Sequence, residues 1–124
     1  MSPSFRPAAP VAQLFGTPES QGTRAAQRFF KERRIDVHFV DIRRRPMARG
    51  ELRRFVDRLG ARALADESSK AWADAGLGYM RLTDAELAER LLEDQRLLRL
   101  PLVRFGNAFA AGRDEATWRS LVSR

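Results

Sequence analysis

The 124 residues contain no cysteine and a single histidine, His38. No disulfide, thiolate nucleophile or thiolate metal site can be built from this chain, and a zinc site would rest on carboxylates alone, so metals are set aside. Lysine is nearly absent too: of the 23 basic residues only Lys31 and Lys70 are not arginine. Such a skew follows from genome composition as readily as from phosphate recognition by guanidinium forks, so the basic pI is weak evidence for nucleic acid. Nowhere do about 18 apolar residues run together, and residues 1–10 carry three prolines without an apolar core, so neither a membrane span nor a secretory signal is expected. The expectation is a cytoplasmic protein with a flexible tail at 1–10.

What is present suits one domain over residues 11–124, with an apolar share of 44%. Charge is uneven. Residues 1–62 hold fourteen basic and six acidic residues, and 63–124 hold nine and ten, which gives +8 and −1 and the net +7. Residues 11–15 read as a strand, Gly16, Thr17 and Pro18 punctuate it, and Ser20 offers an N-cap. A helix over 21–33 follows, with Ala25, Ala26, Phe29 and Phe30 at the spacing of one buried stripe. Residues 36–42 read as a second strand, parallel to the first, which places the loop before Ser20 at the C-terminal edge where α/β proteins bind ligands.

Beyond Pro46, Leu52, Phe55, Val56 and Leu59 make the apolar face of a helix ending near Gly60. A second helix is expected over 68–75. A third starts at Thr83, which with Glu86 spells a capping box, and runs to about Asp94. These helices form an insert at about 47–98. Strands at 102–105 and 108–111 then flank Gly106-Asn107, a hairpin turn dipeptide, and a last helix over 114–122 turns Trp118, Leu121 and Val122 inward. The expected class is α/β, with the order β-α-β, helical insert, β-β-α around a central four-stranded mixed sheet.

That order is thioredoxin-like, and four segments resemble the arsenate reductase (ArsC)/Spx family. GTPESQGTR resembles the family's N/S-P-x-C-S/T-x-S/C-R loop, and SSKAWADAGL its R-S/G-K/T-x-F/Y-x-x-L-G-L segment. LTDAELAERLLEDQRLLRLPLVRF resembles its L-S-D-E-E-L…L-L-R-R-P-I-V run, and GRDEATWRSLV its closing G-[RF]-x-x-E-x-[IW]-x-x-L-L. In the family, a cysteine at the N-terminus of the first helix is held as thiolate by the helix dipole and attacks arsenate or exchanges disulfides. Ser20 stands at that position here, so the resemblance implies a member lacking the catalytic cysteine. The usual glutaredoxin-dependent reaction is not expected, because a serine needs a general base that a lone strand histidine is badly placed to supply. Of three family arginines that clamp the oxyanion, the first is replaced by Ser68 and the second by Leu100, while Arg113 remains. Arg24 matches the arginine closing the loop motif, and Pro101 matches the family's cis-proline.

Ser20, Gln21, Gly22, Thr23, Arg24, Pro101 and Arg113 are therefore the candidate ligand-binding residues, with no catalytic residue and no cofactor expected unless glutathione is retained. Each also has a plain structural reading. Ser20 is first an N-cap, worth about 1 kcal/mol, Pro101 serves the fold's own turn, and Arg113 can pair with Asp114 or Glu115. His38 reads as a surface histidine.

The second candidate region is basic: Arg43, Arg44 and Arg45 precede a helix bearing Arg49, Arg53, Arg54, Arg58 and Arg62. Arg45, Arg49 and Arg53 line one flank at i, i+4 spacing and Arg54, Arg58 and Arg62 another. Three functions are weighed. A redox-inactive binding or regulatory protein would contact an acidic partner through residues 43–62, RNA polymerase being the analogy that the Spx branch supplies, and Arg49→Glu with Arg53→Glu would abolish that binding. A residual glutathione or oxyanion site would depend on Arg113. A nonspecific nucleic-acid binder would lose affinity linearly with log salt, but Phe55 points to the core and no base-stacking platform is visible.

Overall fold

Strand β1, Val11–Gly16, sorts its side chains by alternation: Ala12 and Leu14 are buried on one face of the sheet, and Phe15 on the other. The computed structural model describes residues 11–123, so the tail expected at 1–10 lies outside the described residues. After β1 the chain runs through α1 (Gln21–Glu32), β2 (Asp36–Asp41), α2 (Arg49–Leu59), α3 (Ala61–Leu64) and α4 (Lys70–Asp74). A 3-10 turn at Leu77–Tyr79, α5 (Asp84–Glu93), a second 3-10 turn at Gln95–Leu97, β3 (Leu102–Phe105), β4 (Ala108–Ala111) and α6 (Glu115–Val122) complete it. The sheet order is β2-β1-β3-β4, with β1 and β2 parallel and the other pairs antiparallel. The architecture is the thioredoxin-like one expected.

Two cores lie on opposite faces of this sheet. Under α1 and α6, Leu14, Phe29, Phe30, Val103 and Trp118 pack together, with the Phe29 and Trp118 rings 5.5 Å apart. Fully burying a side chain such as Phe30 contributes about 1.5–3 kcal/mol relative to leaving it in water. Under the insert, Phe15, Leu52, Phe55, Leu64, Leu87, Leu91 and Leu102 form the larger core, where Phe55 meets Phe15 and Phe109 edge-on at 5.9 and 4.8 Å.

The ends of the insert are fastened by a side chain. The Gln95 amide accepts from the Met47 N–H at 2.9 Å and donates to the Met47 carbonyl at 2.8 Å. Nearby, Arg99 N–H donates to Leu64 O at 2.7 Å and Asp66 N–H to Leu97 O at 2.9 Å. Thr83 forms the expected capping box, its hydroxyl accepting from Glu86 N–H at 3.1 Å while Glu86 accepts from Thr83 N–H at 2.9 Å.

Local details differ from the expectation. The helix expected over 68–75 is α4, which starts at Lys70, because Ser69 rather than Ser68 caps it, accepting from Trp72 N–H at 3.1 Å. Ser68 is drawn back into a turn, where both its N–H and its hydroxyl donate to Asp66 Oδ1. Helix α3 and both 3-10 turns were not expected. They are too short to show a periodicity. In the last helix Trp118 and Leu121 are buried and Val122, half-buried, packs against the same core, as expected.

Candidate functional site

Residues 17–20 turn the chain from the C-terminal edge of β1 into α1, and their polar groups are largely consumed locally. Ser20 N–H donates to Thr17 O at 3.2 Å, and Ser20 Oγ accepts from Thr23 N–H at 3.1 Å, so the hydroxyl is a helix cap. Arg24, placed among the ligand candidates by its motif position, instead donates through Nη1 to Pro18 O at 2.9 Å and Glu19 O at 3.1 Å. Its guanidinium ties the loop's carbonyls to the helix.

Gly22 explains how the loop meets the rest of the site. A Cβ there would lie 2.7 Å from Leu100 O, 3.2 Å from Pro101 Cδ and 3.5 Å from Arg113 Cβ. The first turn of α1 therefore abuts the cis Leu100–Pro101 peptide and the bend at 112–113 at backbone contact. Gly16 makes the second close approach, its Cα facing the Thr23 side chain. Thr23 is fully buried, and its hydroxyl has no hydrogen-bond partner among the described residues. Gly22, Leu100, Pro101 and Arg113 thus come together, with Ser20 two residues before Gly22 and Gln21 exposed between them. The remaining arginine is half committed, with Arg113 Nη2 3.9 Å from Glu115 Oε1.

Arg99, beside Leu100, carries a guanidinium that sequence reasoning passed over. Its aliphatic stem lies across Gly112, where a Cβ would collide with it and where a φ of 77° also favours glycine, and its Nη2 donates to Ala65 O at 3.3 Å. This guanidinium bonds the backbone of the insert.

On one side of the loop opens a cleft of about 720 Å³, lined by residues that include Thr17, Ile42, Arg43, Pro46, Leu92 and Leu100. Both arginines on its rim are paired with carboxylates. Arg43 bridges Glu19 at 2.7 Å and Asp41 at 3.4 Å, and Arg96 meets Asp94 at 2.8 Å. The hydrogen bond from Arg43 holds the Asp41 carboxyl below its ordinary range, and Arg96 does the same for Asp94.

The basic region departs from two freely charged flanks. Arg49 and Arg53 both reach Glu89 on α5, at 2.8 and 3.2 Å, and the Arg49 hydrogen bond, with Arg53 behind it, lowers the Glu89 pKa. On the other flank Arg54 and Arg104 share Glu51 at 3.8 and 3.4 Å. Arg58 donates to Asn107 O at 3.3 Å, and Arg58 and Arg104 approach the Phe109 ring at 5.3 and 5.4 Å. Arg62 donates to Leu82 O at 2.7 Å and lies 3.5 Å from Asp84. Arg45 is exposed and makes no salt bridge among the described residues. Each shared carboxylate leaves one positive charge uncompensated, so both flanks stay basic but ordered.

Tyr79, Met80 and Arg104 were also missed. Tyr79 is 97% exposed and Met80 44%, and Arg90 on α5 reaches the Met80 sulfur at 3.8 Å. The available signal was a Gly-Tyr-Met stretch outside any apolar periodicity. Arg104 could have been found by parity, since it alternates with Leu102 on the insert side of β3.

Comparison of the fold with solved structures returns arsenate reductases and their relatives. An arsenate reductase from Vibrio cholerae superposes with a TM-score of 0.77 at 18% identity, covering 91% of this chain and 98% of that one. An ArsC family related protein from Bacteroides fragilis gives 0.76 at 18% identity, over 89% and 96%. An arsenate reductase related protein from Brucella melitensis gives 0.67 at 14% identity, over 96% and 100%. At these identities the likeness establishes the fold. A sequence search of curated proteins finds no match. The family itself is settled by sequence: the profile described as ArsC family matches residues 15–121, nearly the whole described chain. With no cysteine to serve as its nucleophile, this chain belongs to the ArsC family.

Proposed function

We propose that this protein works by binding an acidic protein partner, without thiol redox chemistry, through the outer side of its insert. The observation that carries the reading is the sharing of single carboxylates by paired arginines, Glu89 between Arg49 and Arg53 and Glu51 between Arg54 and Arg104. A guanidinium already held in place loses less side-chain entropy on meeting a partner, and the surplus charge on each flank attracts an acidic surface. Exposed Tyr79 and Met80 shortly precede Leu82, whose carbonyl accepts from Arg62, and an aromatic, methionine and arginine set is typical of protein interfaces. RNA polymerase remains the analogy from the Spx branch, and the analogy supplies no contact.

The chemistry around Ser20 supports binding over catalysis. The hydroxyl caps α1, and Ser68 and Leu100 occupy two of the three positions where the resemblance places oxyanion-clamping arginines. A glutathione or oxyanion site would rest on Arg113 alone.

The test is a pull-down from nuclease-treated extract at low and moderate salt, comparing the parent with Arg54→Ala/Arg58→Ala and with Tyr79→Ser. Arg49 and Arg53 are poor choices for substitution, because changing them also breaks the contact between α2 and α5. One stoichiometric protein retained at moderate salt and lost from both variants is the expected result. Recovery of nothing, or of a partner indifferent to both variants, overturns the reading. Binding that nuclease removes and that falls linearly with log salt would make the protein a nucleic-acid binder instead.

A further inference from the structure

We propose that the cleft between the β1–α1 loop and the end of α5 binds an uncharged, largely apolar small molecule. Its position is the one where open α/β sheets take ligands, beyond the C-terminal ends of the parallel strands β1 and β2. Its volume, about 720 Å³, falls within the roughly 300–1,000 Å³ of small-molecule pockets. The argument for the ligand's class comes from what lines it.

Ile42, Pro46, Leu92 and Leu100 supply apolar surface from three segments of the chain, and Leu100 is the residue standing at the resemblance's second clamp position. An anion here would face leucine where the resemblance places a guanidinium, and an ionic group set against such a wall gives up hydration without gaining a partner. The rim offers no replacement. Arg43 is engaged by Glu19 and Asp41, and Arg96 by Asp94, so an incoming anion must displace a carboxylate already in place. Glu93, also on the lining, makes no salt bridge among the described residues and adds repulsion for negative charge. Gln95 is equally spent, since both ends of its amide bond the Met47 backbone. Thr17 contributes a neutral hydroxyl to the lining, enough to orient a ligand that carries one hydrogen-bonding group. The selectivity of an anion site is thereby reversed within an unchanged frame: apolar matter is accepted and negative charge refused. This inference stands apart from the partner-binding reading, because the cleft and the α2 arginines are different surfaces.

A matched pair of fluorescent probes separates the two selectivities. N-phenyl-1-naphthylamine is uncharged, and 8-anilinonaphthalene-1-sulfonate has the same ring skeleton with a sulfonate added. Titration of the folded protein should show saturable, one-to-one binding of the neutral probe, with the sulfonate at least ten-fold weaker. Amide NMR shifts on adding the neutral probe should centre on Thr17, Ile42, Leu92 and Leu100. Leu92→Glu and Leu100→Glu, both at half-buried positions, should each weaken the neutral probe ten-fold or more, while Tyr79→Ser leaves it unchanged. Equal or tighter sulfonate binding, no saturation, or shifts centred elsewhere would each overturn the proposal. The NMR map on the unsubstituted protein decides the matter should either glutamate variant fail to fold.

Discussion

The loop at Ser20 and the arginine face of α2 treat their polar groups in opposite ways. In the loop, the groups closest to α1 have partners within a few residues: Ser20 bonds Thr23 and Thr17, and Arg24 bonds the carbonyls of Pro18 and Glu19. On α2, groups reach across 36–53 positions to Glu89, Asn107 and Arg104, and the count of charges leaves a remainder. A site poised for chemistry keeps reactive groups unsatisfied until substrate arrives, whereas the Ser20 hydroxyl and the Arg24 guanidinium are both engaged. The α2 face keeps a surplus in an ordered array. The uncompensated positive charge lies on the insert, while the donors and acceptors of the loop at the sheet edge are bonded to one another.

The contrast can be broken most severely at Gly22. Gly22→Ala pushes a methyl against Leu100 O, so the first turn of α1 must separate from the Pro101 bend, and a loss of about 1–3 kcal/mol is expected in urea unfolding. Ser20→Ala removes only the cap and should cost about 1 kcal/mol in the same assay. Ser20→Cys asks whether the frame can still tune a thiol: its titration should fall below that of free cysteine, yet arsenate reduction should stay undetectable in a coupled assay, since Ser68 and Leu100 leave the transition-state charge unmet. Thr23→Val works the other way. It replaces a buried hydroxyl lacking a partner with a methyl of the same shape, so a gain of up to about 1 kcal/mol is expected.

The mildest change sharpens the other half of the comparison. Glu89→Gln removes the shared carboxylate between Arg49 and Arg53, so the thermal midpoint should barely move, while retention on a heparin or polyglutamate column rises. The same carboxylate bears on pH. Asp41, Glu86, Glu89, Asp94 and Asp114 all have folded pKa values below their ordinary ones, chiefly through hydrogen bonds from Arg43, Thr83, Arg49, Arg96 and Thr117. A depressed folded pKa means that the stabilisation is complete above the unfolded value near 4 and is lost as pH falls through the folded one. Circular dichroism melts should therefore be flat from neutrality to about pH 5 and decline only below about pH 4.

Much of the fold was legible because its signals are local. The stripe of Ala25, Ala26, Phe29 and Phe30, the Thr83–Glu86 box and the Gly106-Asn107 turn each specify their element within a few residues, and all three are found. The bounds of β3 and β4 were read to the residue. What escaped depends on distant partners or on competition. Ser68 and Ser69 are both good caps by type, and only the pull of Asp66 decides between them. Arg24 and Arg113 look alike as motif positions, but one bonds two carbonyls of its own loop and the other has only a loose pairing with Glu115 at 3.9 Å. The neutralising role of Glu89 is invisible until α5 is laid beside α2, and the cleft is assembled from segments some eighty residues apart.

The Gln95–Met47 bond pair has a consequence for any experiment that varies ionic strength. An amide carries no net charge, so added electrolyte leaves this staple intact while it weakens the guanidinium contacts around it. The insert is thus latched by a part that is blind to salt and decorated by parts that respond to it. Raising ionic strength becomes a selective eraser, able to wipe the arginine face clean while the scaffold beneath it keeps its shape.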